Sequence, residues 1–474
     1  MPDTSAAPTT DAPAGAPADA LAAHLEATHD ARIESYKEFL RIPSISGIPA
    51  HAADCRRAAD WLVDALTAAG VENAEAFETG GHPVVYADWL HAPDAPTVIV
   101  YGHYDVQPTD PLELWTSPPF EPVVVGDRML ARGAADDKGQ VHAHVMAAAA
   151  IMATAGRFPV NVKYLFEGEE ESSSANLDRW LSDNRDRLTA DAAIISDSGF
   201  FEGNLPAITL SLRGIMYAQV DVVGTAVDLH SGSYGGAVQN PANALATILA
   251  ALKGPDGRIR IPGFYDDVVS LSEPDRAALA ELPFDEAEYQ DKLGLPALVG
   301  EVGYTTLERR SIRPTLDVNG LWGGFAGDGT KTIIPAHAHA KVSCRLVAAQ
   351  DPDRIFEAFR AYVEEVAPPG VTVTVTDLGG GHPSTTAVDH PLTQAAARAI
   401  EATFGRAPVY IREGGSIPVA ASFATILGLP VVLLGITPPD ENAHAPNEWM
   451  GLENYETGIR TFARMFDELV DLPR

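Results

Sequence analysis

Apolar residues recur at helical spacing through LAAHLEATHDARIESYKEFLRIPS, which predicts one amphipathic helix starting near Ala18 and ending before Pro43. HAADCRRAADWLVDALTAAG predicts a second, closed by Gly70 as its C-cap. PVVYADWL from Pro83 and TVIVYGHYDV from Thr97 then read as strands. The latter is apolar on both faces up to Tyr101, as in a strand buried within an α/β sheet. A helix over Gly139–Gly156, a strand in VNVKYLFEGEE, a helix in SANLDRWLSDN and a strand in DAAIISDSG follow. This alternation predicts a mostly parallel sheet with helices on its faces.

The period changes near Leu212. GIMYAQVDVVG alternates every second residue, as a half-exposed antiparallel strand does. The helix NPANALATILAALKG follows, then Pro-rich and acidic stretches over Ile261–Leu295. Strand-like TLDVNGLWGG and HAHAKVSCRLV, the helix DPDRIFEAFRAYVEEVA and the strand VTVTVTDLG complete a small α+β sandwich. After Gly381 the α/β character returns with the helix PLTQAAARAIEATFG, the buried strand PVVLLGI and the helix YETGIRTFARMFDELVDL. The expected architecture is a catalytic α/β domain over 18–211 and 382–474, interrupted by a smaller domain over 212–381. Residues 1–17, rich in Ala, Pro, Thr and Asp, read as a disordered tail.

Composition narrows the function classes. The 474 residues carry 33 Lys and Arg against 65 Asp and Glu, a formal charge of −32, which argues against nucleic-acid or anionic-membrane partners. The longest apolar runs fall short of the roughly 20 residues a membrane span takes. The two cysteines, Cys55 and Cys344, exclude a disulfide framework and a cysteine-rich zinc site, and fit a reducing cytoplasm. The tail lacks the basic and apolar regions of a secretory signal.

The candidate chemistry lies just past the ends of the predicted buried strands, where open α/β sheets bind ligands. His103 and Asp105 stand in YGHYDV, Asp136 in GAADDKG, Glu170 and Glu171 in EGEEESSS, Asp197 in ISDSG and His444 in ENAHAPNE. Imidazoles and carboxylates without cysteines suit zinc or manganese. Two His and three carboxylates can hold two ions if one carboxylate bridges, and the ions can then share and acidify a water. Another carboxylate can take that water's proton. Singly, each residue could cap a turn or sit on a solvated face. Together they concentrate more negative charge at strand ends than is expected without a cation.

The segments YGHYDVQP, RGAADDKG, EGEEES, IISDSG, DLHSGSYGG, REGGSIPV and NAHAPNE together resemble the M20 di-zinc metallopeptidases, closest to the dipeptidase branch of cytosolic nonspecific dipeptidases and carnosinases. They occur in the family's order from His103 to Asn447. The resemblance implies that His103 and Asp197 hold one ion, Glu171 and His444 the other, and that Asp136 bridges. Asp105 would orient His103. Aligning on Ser174 makes Glu170 the general base; because Ser173 replaces the family's usual Gly, a register of Glu169 and Glu170 stays open. The inserted domain resembles the family's lid and dimerisation domain, implying a homodimer. His230 in DLHSG would reach a neighbouring subunit's site and stabilise the oxyanion. Arg345 and Ser416 would bind the substrate's free carboxylate, and Thr332 would add a contact from the lid. His382 is displaced from a lid histidine of some dipeptidases, leaving the environment of the substrate's amino end open.

The expected activity is thus hydrolysis of small peptides by a cytoplasmic di-metal dipeptidase, with zinc as first choice and manganese as the alternative. A related amidohydrolase acting on N-acyl or N-carbamoyl amino acids would share the metal core. A catalytically silent scaffold should have lost a ligand or the base, and none is missing. GFAGDGTKT fails as a phosphate-binding loop because Thr330 separates Gly329 from Lys331. His142 and His144, two apart on a helix, make a poor metal pair; His337 and His339 read as lid-surface residues.

Overall fold

The computed structural model describes residues 18–415 and 417–473, so the expected tail and Ser416 lie outside the described residues. The chain divides into two compact units. One runs up to Thr209 and resumes over Thr386–Tyr410 and from Ser422; the other comprises Leu210–Thr385 and Ile411–Ala421. Residues 411–421, expected with the catalytic half, cluster instead with the second unit. There Arg213 Nε donates to Gly414 O at 3.1 Å, and Arg412 Nη2 lies 4.0 Å from Asp275 Oδ1.

The first unit is built on a mixed sheet. Its strands run in the order Glu72–Phe77, Val84–Trp89, Asn161–Glu167, Thr97–His103, Ala192–Ile195 and Val431–Leu433, followed by the start of Ala207–Leu212. The last four of the six pair in parallel, and the strands on either side of them pair antiparallel. Parallel pairing thus belongs to the centre of the sheet, where both faces are covered and every residue from Val98 to His103 is buried. His103 registers with Glu167, and Ile195 with both Tyr101 and Leu433, so the carboxyl ends of all four parallel strands come level.

Two glycines set this end of the sheet. A Cβ on Gly102 would lie 2.5 Å from Val141 Cγ2 and 2.7 Å from Asp137 Oδ2, so only glycine lets the helix Lys138–Ala155 start against the strand. A Cβ on Gly435 would lie 1.6 Å from the carbonyl oxygen of Ser198, the residue after Asp197. The first predicted helix is interrupted: Ala18–Ala27 and His29–Leu40 meet at Thr28 (φ −106°, ψ 5°). The buried Arg32 guanidinium occupies the Leu25 carbonyl at 2.5 Å and also binds Thr28 Oγ1, diverting helical hydrogen bonding there.

In the second unit, Gly214–Val223, Thr315–Gly323, His337–Leu346 and Thr372–Gly381 form a four-stranded antiparallel sheet. The spatial order puts the first and third of these strands in the middle. Helices Pro241–Leu252 and Pro352–Val366 contribute Leu245, Ile248, Phe356 and Phe359 to a core with the inward residues Met216, Val220, Ala340 and Val342. This is the ferredoxin-like β-α-β-β-α-β order. The acidic stretch after Ile261 contains the short helices Glu273–Ala280 and Glu286–Lys292, each capped by its own Ser272 or Asp285. No helix among the described residues is long and apolar enough to cross a membrane.

Replacing Gly435 by Ala should cost about 1–3 kcal/mol by forcing the Ser198 carbonyl away, and lower the melting temperature by about 2 °C or more. Thermal unfolding followed by circular dichroism checks this. An unchanged or raised midpoint would mean that the Asp197 loop is not wedged against Gly435.

Candidate metal centre

Beyond the level strand ends, separate connections deliver the candidate ligands, with Glu170 and Glu171 sharing one turn. His103 ends its strand with its side chain wholly buried. Its backbone N–H donates to Asp137 Oδ2 at 3.1 Å, so the residue before the Lys138–Ala155 helix anchors the strand end. Its Nδ1 lies 3.1 Å from Asp105 O and 3.5 Å from Asp105 Oδ1. The imidazole is thereby turned so that Nε2 faces Asp136 and Asp197.

Asp136 sits between two histidines. Its Oδ1 lies 3.0 Å from His103 Nε2, and its Oδ2 lies 2.9 Å from His444 Nε2. His444 Nε2 also lies 3.3 Å from Glu171 Oε2, and His103 Nε2 lies 4.0 Å from Asp197 Oδ2. Two ligand groups result: His103, Glu170 and Asp197, and Asp136, Glu171 and His444. Within each, the potential ligand atoms lie within 4.8 Å of one another. Asp105 also fixes the glutamate turn, its Oδ1 accepting from Glu170 N at 3.3 Å and its Oδ2 from Glu171 N at 3.0 Å. The side chain of Glu169 turns elsewhere, bonding Asn176 Nδ2 at 3.0 and 3.1 Å, so Glu170 and Glu171 are the pair beside the histidines.

The electrostatics fit divalent cations. Burial together with Asp197, Glu171 and Asp136 pushes Glu170 up to about 9, despite the opposing charge of His103. Burial, Asp197 and Asp136 likewise hold Asp137 well above the usual carboxylate range. Hydrogen bonds to Asp136 and Glu171 raise His444 to about 10. Burial opposes charge on His103, yet Asp105, Asp136 and Asp197 hold its pKa well above the ordinary value. Five acids (Asp105, Asp136, Glu170, Glu171 and Asp197) surround two imidazoles, so with every acid ionised, protonating both histidines would still leave the group at −3. Neutral histidines with two divalent ions would leave it at −1. Among the described residues, His103 Nε2 is buried without a hydrogen-bond partner of proper geometry, although Asp136 is 3.0 Å away. A buried imidazole nitrogen aimed at carboxylates in this way suits metal ligation.

Of the remaining expected residues, His230, Thr332 and Arg345 lie in the second unit. His230 pairs with Ile333 between the short strands Leu229–His230 and Ile333–Ile334, and Ser231 N donates to Thr332 O at 3.1 Å. The exposed His230 uses Nδ1 to cap the following turn, accepting from Gly232 N at 3.0 Å. Arg345, half-buried, stands on the strand His337–Leu346 opposite Thr315 and Ile215. His142 and His144 point to different partners, Tyr455 and Ser196. His337 is exposed, while His339 binds Asp221 at 2.5 Å.

Three residues around the ligands, Gln107, Arg132 and Glu448, carry no signal in the sequence pattern. Gln107 Nε2 donates to Glu171 Oε2 at 2.7 Å. Buried Glu448 accepts from Arg132 Nη1 at 2.6 Å and from backbone N–H groups of Gly133, Ala135 and Asp136 at 2.9–3.0 Å. Glu448 lies inside the motif NAHAPNE, but nothing in its spacing announces backbone partners.

A sequence profile of peptidase family M20/M25/M40 matches residues 99–468. The chain is 33% identical to human Beta-Ala-His dipeptidase over 395 residues, covering 82% of this chain and 78% of the relative. It is 31% identical to the Cys-Gly metallodipeptidase dug1 of Schizosaccharomyces pombe over 447 residues, 91% and 94% of the two chains. Among solved structures, an M20 family metallo-carboxypeptidase from Sulfolobus solfataricus superposes with a TM-score of 0.82 at 33% identity, covering 92% of this chain and 99% of that one. With the ligand groups at the ends of the parallel strands and the profile spanning most of the sequence, this chain belongs to peptidase family M20/M25/M40.

Proposed function

We propose that the protein is a dipeptidase that hydrolyses the peptide bond of dipeptides bearing a free C-terminal carboxylate, at a centre of two divalent ions. Zinc is the first choice of metal and manganese the alternative. The observation that carries the reading is Asp136, whose two carboxylate oxygens face two different histidines. A carboxylate so divided suits a bridge between two ions. In this reading His103 and Asp197 complete the ligands of one ion, and Glu171 and His444 those of the other. The relatives named above, two dipeptidases and a carboxypeptidase, support cleavage next to a free carboxyl end.

When bound, the ions supply Lewis acidity to the scissile carbonyl and lower the pKa of water at the site. Glu170 is the general base, taking a proton from the attacking water as its oxygen bonds to the carbonyl carbon. The same carboxyl then delivers that proton to the leaving amine nitrogen as the C–N bond breaks, yielding two amino acids. Asp105 supports both groups: it orients His103, and it holds the Glu170–Glu171 turn through two backbone N–H groups. His230 donates to the developing oxyanion from a neighbouring subunit, Arg345 and Ser416 receive the substrate carboxylate, and Thr332 adds a substrate contact. The pairing of the His230 and Thr332 segments supports their acting together.

The proposed homodimer forms through the second unit. Thr315–Gly323 is an edge strand there, with Val318, Leu321 and Trp322 exposed, and such an edge invites a partner. Cys55 and Cys344 are both free and buried, in keeping with a reducing cytoplasm.

Purified protein should cleave free dipeptides, lose activity to a chelator and regain it with zinc or manganese. N-acetyl amino acids should be poor substrates in the same assay. Cleavage of the acetylated compounds alone would move the protein to the amidohydrolase class, and activity indifferent to chelation would refute the metal centre. Glu170→Gln should retain both ions while turnover falls by about 10²–10⁴-fold. Steady-state kinetics with metal analysis decide this; full turnover in that variant, with loss in Glu169→Gln, would assign the base to Glu169.

A further inference from the structure

We propose that Glu448 is a positioning residue for one of the two ions, tying together all three side chains of the Asp136, Glu171 and His444 group. This rests on the di-metal reading above. Glu448 is fully buried and follows His444 by four positions. Its Oε1 accepts from Ala135 N at 2.9 Å and from Asp136 N at 3.0 Å. Its Oε2 accepts from Gly133 N at 3.0 Å and from Arg132 Nη1 at 2.6 Å. Four donors use the full acceptor capacity of the carboxylate. The segment presenting Asp136 therefore hangs from a side chain in the same loop as His444.

Arg132 extends the tie to the third ligand. It too is buried, and its Nη2 donates to Pro108 O at 3.1 Å. The adjacent Gln107 donates to Glu171 Oε2 at 2.7 Å. Asn447 binds the same segment further on, accepting from Thr116 N and Oγ1 at 2.7 and 2.8 Å and donating to Leu114 O at 2.9 Å. Glu448 thus reaches Asp136 through the backbone, His444 through the chain, and Glu171 through Arg132, Pro108 and Gln107.

The other ion shares Asp136 with this network and meets it again through Asp137, the next residue, but His103 and Asp197 have supports of their own. His103 ends a strand paired on both sides, and its backbone is held by Asp137. Asp197 follows the strand Ala192–Ile195, and the next residue, Ser198, packs against Gly435. Loosening Glu448 should therefore weaken the two ions unequally. A residue serving only general stability would have no such selectivity.

Two variants test this. Arg132→Met with Glu448→Gln removes both buried charges together, so neither is stranded. Glu448→Asp keeps the charge Arg132 needs but retracts the carboxylate, and it reports even if the double variant does not fold. Folding is checked by circular dichroism and thermal melting. Metal-stripped protein is then titrated with Mn²⁺, bound ions are counted, and paramagnetic resonance distinguishes a coupled pair from an isolated ion. Wild type should bind two ions per chain. A folded variant should keep one ion near wild-type affinity, bind the second at least about tenfold more weakly, and give the isolated-ion spectrum at equal free metal. Wild-type constants for both ions, or equal weakening of both, would overturn the proposal. Fewer than two ions on the wild type would instead overturn the di-metal reading on which it rests.

Discussion

Negative charge crowded at the ends of four parallel strands is the constraint around which the first unit is arranged. Asp105, Asp136, Glu170, Glu171 and Asp197 meet there with two histidines, and burial raises the cost of every unbalanced charge. The carboxylates are spread over several donors. Backbone N–H groups take Asp105, and the two oxygens of Asp136 face the imidazoles of His103 and His444. These partners leave an excess of negative charge that two divalent ions would nearly cancel.

The scaffold contributes precision. Parallel pairing brings His103 level with Glu167 and sets Asp197 just beyond a neighbouring strand. Gly102 and Gly435 permit backbone approaches that a methyl group would block. Buried Glu167, pushed up to about 8 by desolvation, accepts from Tyr101 Oη and Ser174 Oγ, anchoring the far end of the Glu170–Glu171 turn. The ligands thus stand on strand ends and on loops whose backbones are themselves hydrogen-bonded, the arrangement that holds a metal site to its geometry.

Much of this was legible in the sequence because it is local. The buried strands announce themselves as continuous apolar runs, and the second unit by its strict alternation from Gly214 to Val223. The ligand residues stand out because charged groups directly follow apolar strands. What was not legible depends on distant partners. Glu72–Phe77 carries no strand signal because this half-exposed edge strand mixes acids with alanines. The break at Thr28 comes from Arg32 reaching back to the Leu25 carbonyl, which helical periodicity does not register. Glu448 is bonded to the backbone of a residue 312 positions away, and Gln107 lies 64 positions from Glu171. The run of three acids does not itself choose between Glu169 and Glu170; in the folded turn Glu169 bonds Asn176, while Glu170 lies with His103 and Asp197.

The most direct test of the paired metal centre is anomalous diffraction from crystals of the protein loaded with manganese. Two peaks per chain, about 3.5–4 Å apart with the Asp136 carboxylate between them, are the predicted result. A single peak, or two peaks that do not share Asp136, would contradict the account.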